Sequence, residues 1–321
     1  MIRFRSINIS ILLACIFVYC IDDGWAQQDA QFSHNMFNTM AFNPGYAGLR
    51  PAICATALAR QQWIGFADEE EQSLNPETYS FSVDAPISLI RGGLGLSFLQ
   101  DQLGFETALG VKLAYAYHLD LTDGRLGLGA QIGFIDKRID FSGFNPLNEG
   151  DPALSGSEEE SRMFIDFSLG GFYTSEVFWA GLSVNQFAQP TREIANADFQ
   201  LKRQFYLSGG YNYPLPGNNN LVLSPSFLFK TDLASFQSDF NTLVTYNNRV
   251  WGGVSYRLQD AVVVFLGLNI EQISIGYSYD ISTTPLGRSG RSFGSHEIMV
   301  QYCFELDIEK INEINRNVRF L

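Results

Sequence analysis

The chain is expected to be all-β, an antiparallel transmembrane β-barrel of about 14 strands of the outer-membrane type. Three observations predict it: apolar residues recur with period two over unusually long stretches, an export leader opens the chain, and long and short connections alternate. Composition agrees. With 46% hydrophobic residues the chain is no disordered polymer. Beyond residue 21 it has no apolar run of the roughly 18–20 residues that a membrane helix needs.

In chain order, Arg3 and Arg5 precede an apolar stretch from Ile7 to Ile21, and Gly24-Trp25-Ala26 places small residues where signal peptidase cuts before Gln27. Residues 1–26 therefore read as a signal peptide. The alternative is a faint lipoprotein box at Leu12-Leu13-Ala14-Cys15, which would cut the apolar region short. Residues 27–51 read as a periplasmic or plug segment, 52–304 as the barrel and 305–321 as a tail, in which Leu306, Ile308, Ile311 and Ile314 outline a short amphipathic helix weakened by asparagines.

The strands are expected at 52–64, 78–84, 92–101, 106–121, 125–138, 162–174, 177–187, 203–214, 221–231, 238–246, 249–257, 261–270, 273–281 and 293–304. From Thr107 to Leu121 the odd positions are almost all large and apolar, while the even ones are Ala108, Gly110, Lys112, Ala114, Ala116, His118 and Asp120. Soluble strands run about five or six residues, whereas a tilted strand crossing a bilayer needs about nine to eleven. The pattern returns at Leu126–Phe134 and at Ile273–Asp280. Connections after even-numbered strands are short, as at Thr122-Asp123-Gly124 and Asn247-Asn248. The long ones, 65–77, 139–161, 188–202 and 282–292, all follow odd-numbered strands, although the odd connections near Gly104 and at 258–260 are short. Tight periplasmic turns and long outer loops are the barrel arrangement. Aromatic pairs near strand ends, including Trp63 with Phe66, Phe178 with Trp179 and Tyr277 with Tyr279, suit two membrane interfaces.

Little catalytic chemistry is legible. His34, His118 and His296 lack metal-ligand spacing, and no zinc-type cysteine pair or G-x-S-x-G elbow occurs, so no catalytic residue, cofactor or metal is expected. Gly92-Gly93-Leu94-Gly95 opens a strand rather than a helix. His118 is expected to pair with Asp120 near a rim. The net charge of -13 and the absence of a basic cluster exclude nucleic acid as a partner. The acidic stretches Asp68–Glu71 and Glu158–Glu160 read as solvated loops able to hold divalent cations weakly.

After the leader come Gln31-Phe32-Ser33, Asn43-Pro44-Gly45-Tyr46-Ala47-Gly48 and Arg60-Gln61-Gln62-Trp63, then Tyr79–Pro86 and, near the end, His296-Glu297-Ile298 with Tyr302 and Phe304. This ordered set resembles the PorP/SprF family of type IX secretion outer-membrane proteins, with Gly45 in place of the family's usual alanine. The resemblance spans nearly the whole mature chain. It implies a non-enzymatic barrel of the Bacteroidetes secretion and gliding machinery, located in the outer membrane. Such a barrel assists export of a large surface adhesin, retains it through the cargo's C-terminal sorting domain, and in some members couples to other secretion components.

The residues carry their own expectations. Asn43, Pro44 and Gly45 form a turn, with proline fixing its own φ and Gly45 allowing a positive one; Gly48 closes the motif. Alternation along the first strand puts Cys54, Arg60 and Gln62 toward the lumen and Trp63 toward lipid. Arg60 would either pair with lumen carboxylates or touch cargo. Cys54 and Cys303 remain once the leader is removed; they lie near the periplasmic ends of the first and last strands, on the same face, and either form a disulfide or sit offset as free thiols. Two functions stay open, a cargo-holding interaction protein and a channel for small solutes or hydrophobic ligands. The inward positions, mostly Gly, Ala and Ser, favour a filled lumen over a charged channel.

An epitope inserted near Glu70 or Gly156 should label on intact cells, and one at Asn247-Asn248 should not. The reverse labelling would invert the topology.

Overall fold

The structure is a computed structural model, and it describes residues 29–67, 74–142, 159–194, 197–217, 220–288, 290 and 292–305. The leader at 1–26, the tail beyond 305 and the loop positions Glu70 and Gly156 lie outside the described residues.

Among the described residues seventeen strand segments follow one another: β1 Ala52–Gln61, β2 Glu77–Ile87, β3 Gly92–Leu103, β4 Glu106–Leu121, β5 Gly124–Asp140, β6 Glu159–Ser175, β7 Phe178–Asn185, β8 Thr191–Ile194, β9 Ala197–Gln200, β10 Gln204–Tyr211, β11 Tyr213–Pro214, β12 Leu221–Thr231, β13 Phe236–Tyr246, β14 Val250–Arg257, β15 Ala261–Ile270, β16 Ile273–Ser282 and β17 Ser295–Glu305. All but β8 and β9 belong to one sheet of fifteen segments. Since β10 and β11 are one strand broken at Asn212, the sheet has fourteen staves. Each stave pairs antiparallel with its neighbours. With β10 paired to β12 in chain order, the sheet closes into one ring by pairing its first and last strands, β1 against β17, where Ala52 faces Glu305 and Gln61 faces His296. Closure is what a bilayer demands, because an open edge would leave main-chain donors and acceptors unpaired in hydrocarbon.

The burial pattern is inside-out for a soluble sheet. On β1 the residues alternate buried and outward over Ala52–Gln61, and the inward set includes Thr56 and Arg60. Outward positions elsewhere are large and apolar, such as Leu113, Phe167, Val254, Leu266 at 64% and Ile298 at 53% exposure. Inward positions include fully buried charges, Arg60 and Arg257 at 1% and Glu297 at 0%. An apolar outer band around a polar interior belongs to a barrel in lipid.

The structure differs from the expected elements in four places. First, β1 ends at Gln61 rather than residue 64: Trp63 has φ 53°, outside the alternation, and its main-chain N–H donates to Ser295 Oγ at 3.1 Å, so period two does not place it against lipid. Second, the 188–202 connection is no plain loop. It carries the β8–β9 hairpin, whose Ile194 packs with Leu201 against Ile139 and Phe164 on the extended ends of β5 and β6. Third, Trp179 is not a girdle residue; it shares the inward parity of Gly181 and Ser183 and stacks on the buried Phe172 at 5.6 Å. Fourth, the inward face is not only small residues, since it also carries Lys112, Asp166, Lys230, Asp239, Arg257, Asp280 and Glu297.

At the seam Cys54 stands directly opposite Cys303, with Cα atoms 4.1 Å apart and the sulfurs joined. Such a bridge, closing a sequence separation of 249 residues, contributes about 2–4 kcal/mol where it is unstrained. Mass spectrometry of non-reduced peptides from protein made under oxidising conditions should recover Cys54 linked to Cys303. Alkylatable thiols at both positions would remove the bridge and leave the barrel.

Candidate functional site

Residues 29–51 lie inside the barrel. Their main-chain hydrogen bonds close turns within the segment: Phe37 N–H to His34 O at 3.0 Å, Ala41 N–H to Asn38 O at 3.0 Å and Leu49 N–H to Tyr46 O at 3.2 Å. Two short 3₁₀ turns, Thr39–Ala41 and Pro44–Tyr46, follow from this pattern. Among the described residues, each hydrogen bond between segment and wall uses a side chain on at least one side.

The path runs from the long-loop rim to the short-turn rim. At the first end the Asp29 carboxylate accepts from Gln186 Nε2 at 3.0 Å and from the Tyr206 hydroxyl, while Lys230 Nζ donates to Asp29 O at 3.2 Å. These partners sit where β7 and β12 end and β10 begins. At the other end Asp84 on β2 accepts from Gly48 N–H at 3.0 Å and from Arg50 Nη2 at 3.2 Å.

Between them lies a buried charge cluster. Cross-strand register creates its two halves, because Arg60 on β1 faces Glu297 on β17 and Arg257 on β14 faces Asp239 on β13. Asp280 on β16 bridges them, 2.8 Å from Arg60 Nη2 and 3.1 Å from Arg257 Nη1. Ser33 of the inner segment occupies the centre. Its hydroxyl donates to Asp280 Oδ1 at 2.8 Å and accepts from Arg60 Nη1 at 2.8 Å and Arg257 Nη2 at 3.3 Å. Glu297 accepts the main-chain N–H groups of Ser33 and His34 at 2.8 and 2.7 Å, and the His34 ring at 2.7 Å through Nδ1. The His34 ring packs edge-on against Phe265 at 5.2 Å, and Phe37 lies on Trp251 at 4.9 Å. Opposite charges in so dry a place are tolerated because each finds several partners.

The opposite wall is built from small residues. Gly127 and Gly129 on β5 and Gly170 on β6 lie under the Asn43–Tyr46 turn, and Gly93 and Gly95 on β3 lie under Ala47, Gly48 and Met40. Asn43 caps this turn, its Oδ1 accepting from Gly45 N–H at 2.9 Å and its Nδ2 donating to Gly171 O at 3.1 Å. The glycine with positive φ is Gly48, at +64°; Gly45 is needed instead for close approach, since a Cβ there would stand 2.8 Å from Gly127 O and 2.9 Å from Gly170 O. His118 does not pair with Asp120. Its Nε2 lies 2.9 Å from Ala47 O, while Asp120 binds Arg125 at 2.7 Å.

The structure thus brings Asn43, Pro44, Gly48 and Arg60 to the segment–wall contact and leaves Gln62 and Trp63 at the outer end of β1, where Gln62 N–H donates to Pro76 O at 2.8 Å. Sequence reasoning missed Ser33, His34, Asp239, Arg257, Asp280 and Glu297 as one system with Arg60, and missed Asp84 as the partner of Gly48 and Arg50. The available signal was a charged residue on the small-residue face of a membrane-length strand, visible at Asp280 and Glu297.

A closed fourteen-stave sheet with an apolar outer band and a polar, occupied interior defines an outer-membrane β-barrel. The sequence matches the family described as "Type IX secretion system membrane protein PorP/SprF" over residues 25–302, and the chain belongs to that family. Among solved structures it is similar to a TodX mutant described as a monoaromatic hydrocarbon channel, at 11% identity and TM-score 0.48, covering 86% of this chain and 95% of that one. It is also similar to an outer membrane protein of Acinetobacter baumannii, at 7% identity and TM-score 0.43, covering 81% and 100%. A porin, KdgM, aligns at 10% identity and TM-score 0.36 over 79% and 99%. No curated protein sequence matches.

Arg60→Ala leaves Asp280 and Glu297 without one of their cations, so we expect the refolded barrel to lose about 3–5 kcal/mol in denaturant unfolding from lipid vesicles. Arg125→Ala, which breaks the exposed rim pair with Asp120, should cost at most about 1 kcal/mol. Equal losses for the two variants would remove the charge cluster's special standing.

Proposed function

We propose that the protein is a non-enzymatic scaffold of the type IX machinery that assists export of a large surface adhesin and retains it through the cargo's C-terminal sorting domain, using its outer loops and rim rather than an open lumen. The observation that carries this reading is the occupied interior. Residues 29–51 are tied to the wall at both rims and at the charge cluster, and beside Asp29, Lys112, Tyr206 and Lys230 lies a small cavity of about 70 Å³. A solute channel of this strand number would keep a continuous aqueous path. Lipid surrounds the apolar band, and the remaining partners are other components of the secretion apparatus.

The second reading, a porin-like channel, is favoured by the buried charges on the wall, Lys112 and Asp166 among them. Two measurements separate the readings. Deleting the gene should leave membrane integrity intact and strip one or a few large proteins from the cell surface, and the purified protein should show no large steady current in planar bilayers. An unchanged surface profile together with a steady open current would replace the scaffold by the channel.

A further inference from the structure

We infer that the small-residue floor of the lumen is a peptide-binding site whose ligand is the Asn43–Gly48 turn of the same chain, exchangeable with the same peptide supplied in trans. The floor is complete without its occupant: β3, β4, β5 and β6 pair continuously beneath the turn, with Gly93 opposite Ala116, Gly129 opposite Ala116 and Gly170 opposite Gly129. The turn likewise carries its own shape. Ala47 N–H donates to Pro44 O at 3.2 Å and Gly45 N–H to the Asn43 side chain, so little ordering is lost on seating.

Recognition is by side chains at the edges of the floor and by backbone approach at its centre. Ser183 Oγ donates to Phe42 O at 2.7 Å, His118 Nε2 meets Ala47 O, and Asp84 takes Gly48 N–H. At the centre the fit is close enough to select residue type. A Cβ on Gly127 would stand 2.1 Å from Gly45 O, and one on Gly129 would stand 2.3 Å from the Pro44 carbonyl carbon. On the ligand side, a Cβ at Gly48 would meet Ala85 O at 2.5 Å in a backbone conformation that already disfavours one. The site therefore takes a preformed tight turn of sequence Asn-Pro-Gly-x-Ala-Gly, with only Tyr46 projecting a bulky ring, set edge-on to Phe172 at 5.1 Å. This assignment stands apart from the cargo reading, which concerns the outer rim.

The test uses the full-length chain in planar bilayers, with heat-modifiable gel migration as the check on folding. Gly45→Leu should unseat the turn and raise the open time at least about tenfold over the unsubstituted protein, the change that roughly 1.4 kcal/mol of lost seating produces. A peptide of residues 40–51 added to that variant should close it, and the same peptide carrying Gly45→Leu should not. A folded Gly45→Leu barrel that stays closed, or closure by both peptides alike, overturns the proposal. If Gly45→Leu fails to fold, Gly48→Val takes its place; failure of both to fold makes the turn part of the wall's folding core and also overturns an exchangeable ligand.

Discussion

The bilayer's refusal of unpaired main-chain groups is the constraint from which the rest of this molecule follows. It forces the sheet to close on itself, and closure turns every strand into a two-faced object with lipid on one side and a confined interior on the other. The outward face can only be apolar. The inward face is freed from that requirement, but whatever polar groups it carries must find partners in a narrow space. Arg60, Arg257 and the carboxylates around them are the result, and the inner segment is what completes them: Ser33 and His34 supply donors and an acceptor that the wall lacks.

The lumen has two characters, divided around its circumference. The staves near the seam and their neighbours carry most of the charge, and β3 to β6 carry glycine and alanine beneath the turn, with Lys112 and Asp166 toward the long-loop end. The inner segment matches this division along its length. Its first half meets the charged wall with Ser33, His34 and Asn35, and its second half lays a bare turn of backbone on the small-residue wall. Charge holds the segment by direction and partner; the glycine floor holds it by shape. Loss of either leaves the other, which is why the two halves can be probed by separate substitutions.

The covalent connection has consequences too. Residue 51 leads directly into β1, and β1 is the seam strand that carries Cys54 and Arg60. Asp84, which grips Gly48 and Arg50, stands opposite Cys54 on β2. The short-turn end of the segment, the seam and its cross-strand cysteine pair thus form one continuous patch, so whatever fixes the seam also fixes the exit of the inner segment. Such an arrangement keeps the interior occupied.

Much of this was legible in the chain itself. Period two over membrane-length stretches, with turn residues between them, determined the staves: β4, β12 and β15 begin and end where alternation says, because a residue that faces lipid cannot be exchanged with one that faces the lumen without cost. The ordered motifs determined the family. The chain alone could not show that Arg60 meets Asp280, since strands distant in sequence become neighbours only through closure, nor that Gly45 is needed for contact rather than for its φ, since the atoms it would strike belong to β5 and β6. Nor could it place Trp63, because alternation holds only while the ladder does and β1 stops two residues earlier. Local pattern sets which face a residue takes; only the closed wall decides what stands beside it, because inside this barrel the partners come from staves brought together by pairing and closure and from the inner segment, rather than from nearby in the chain.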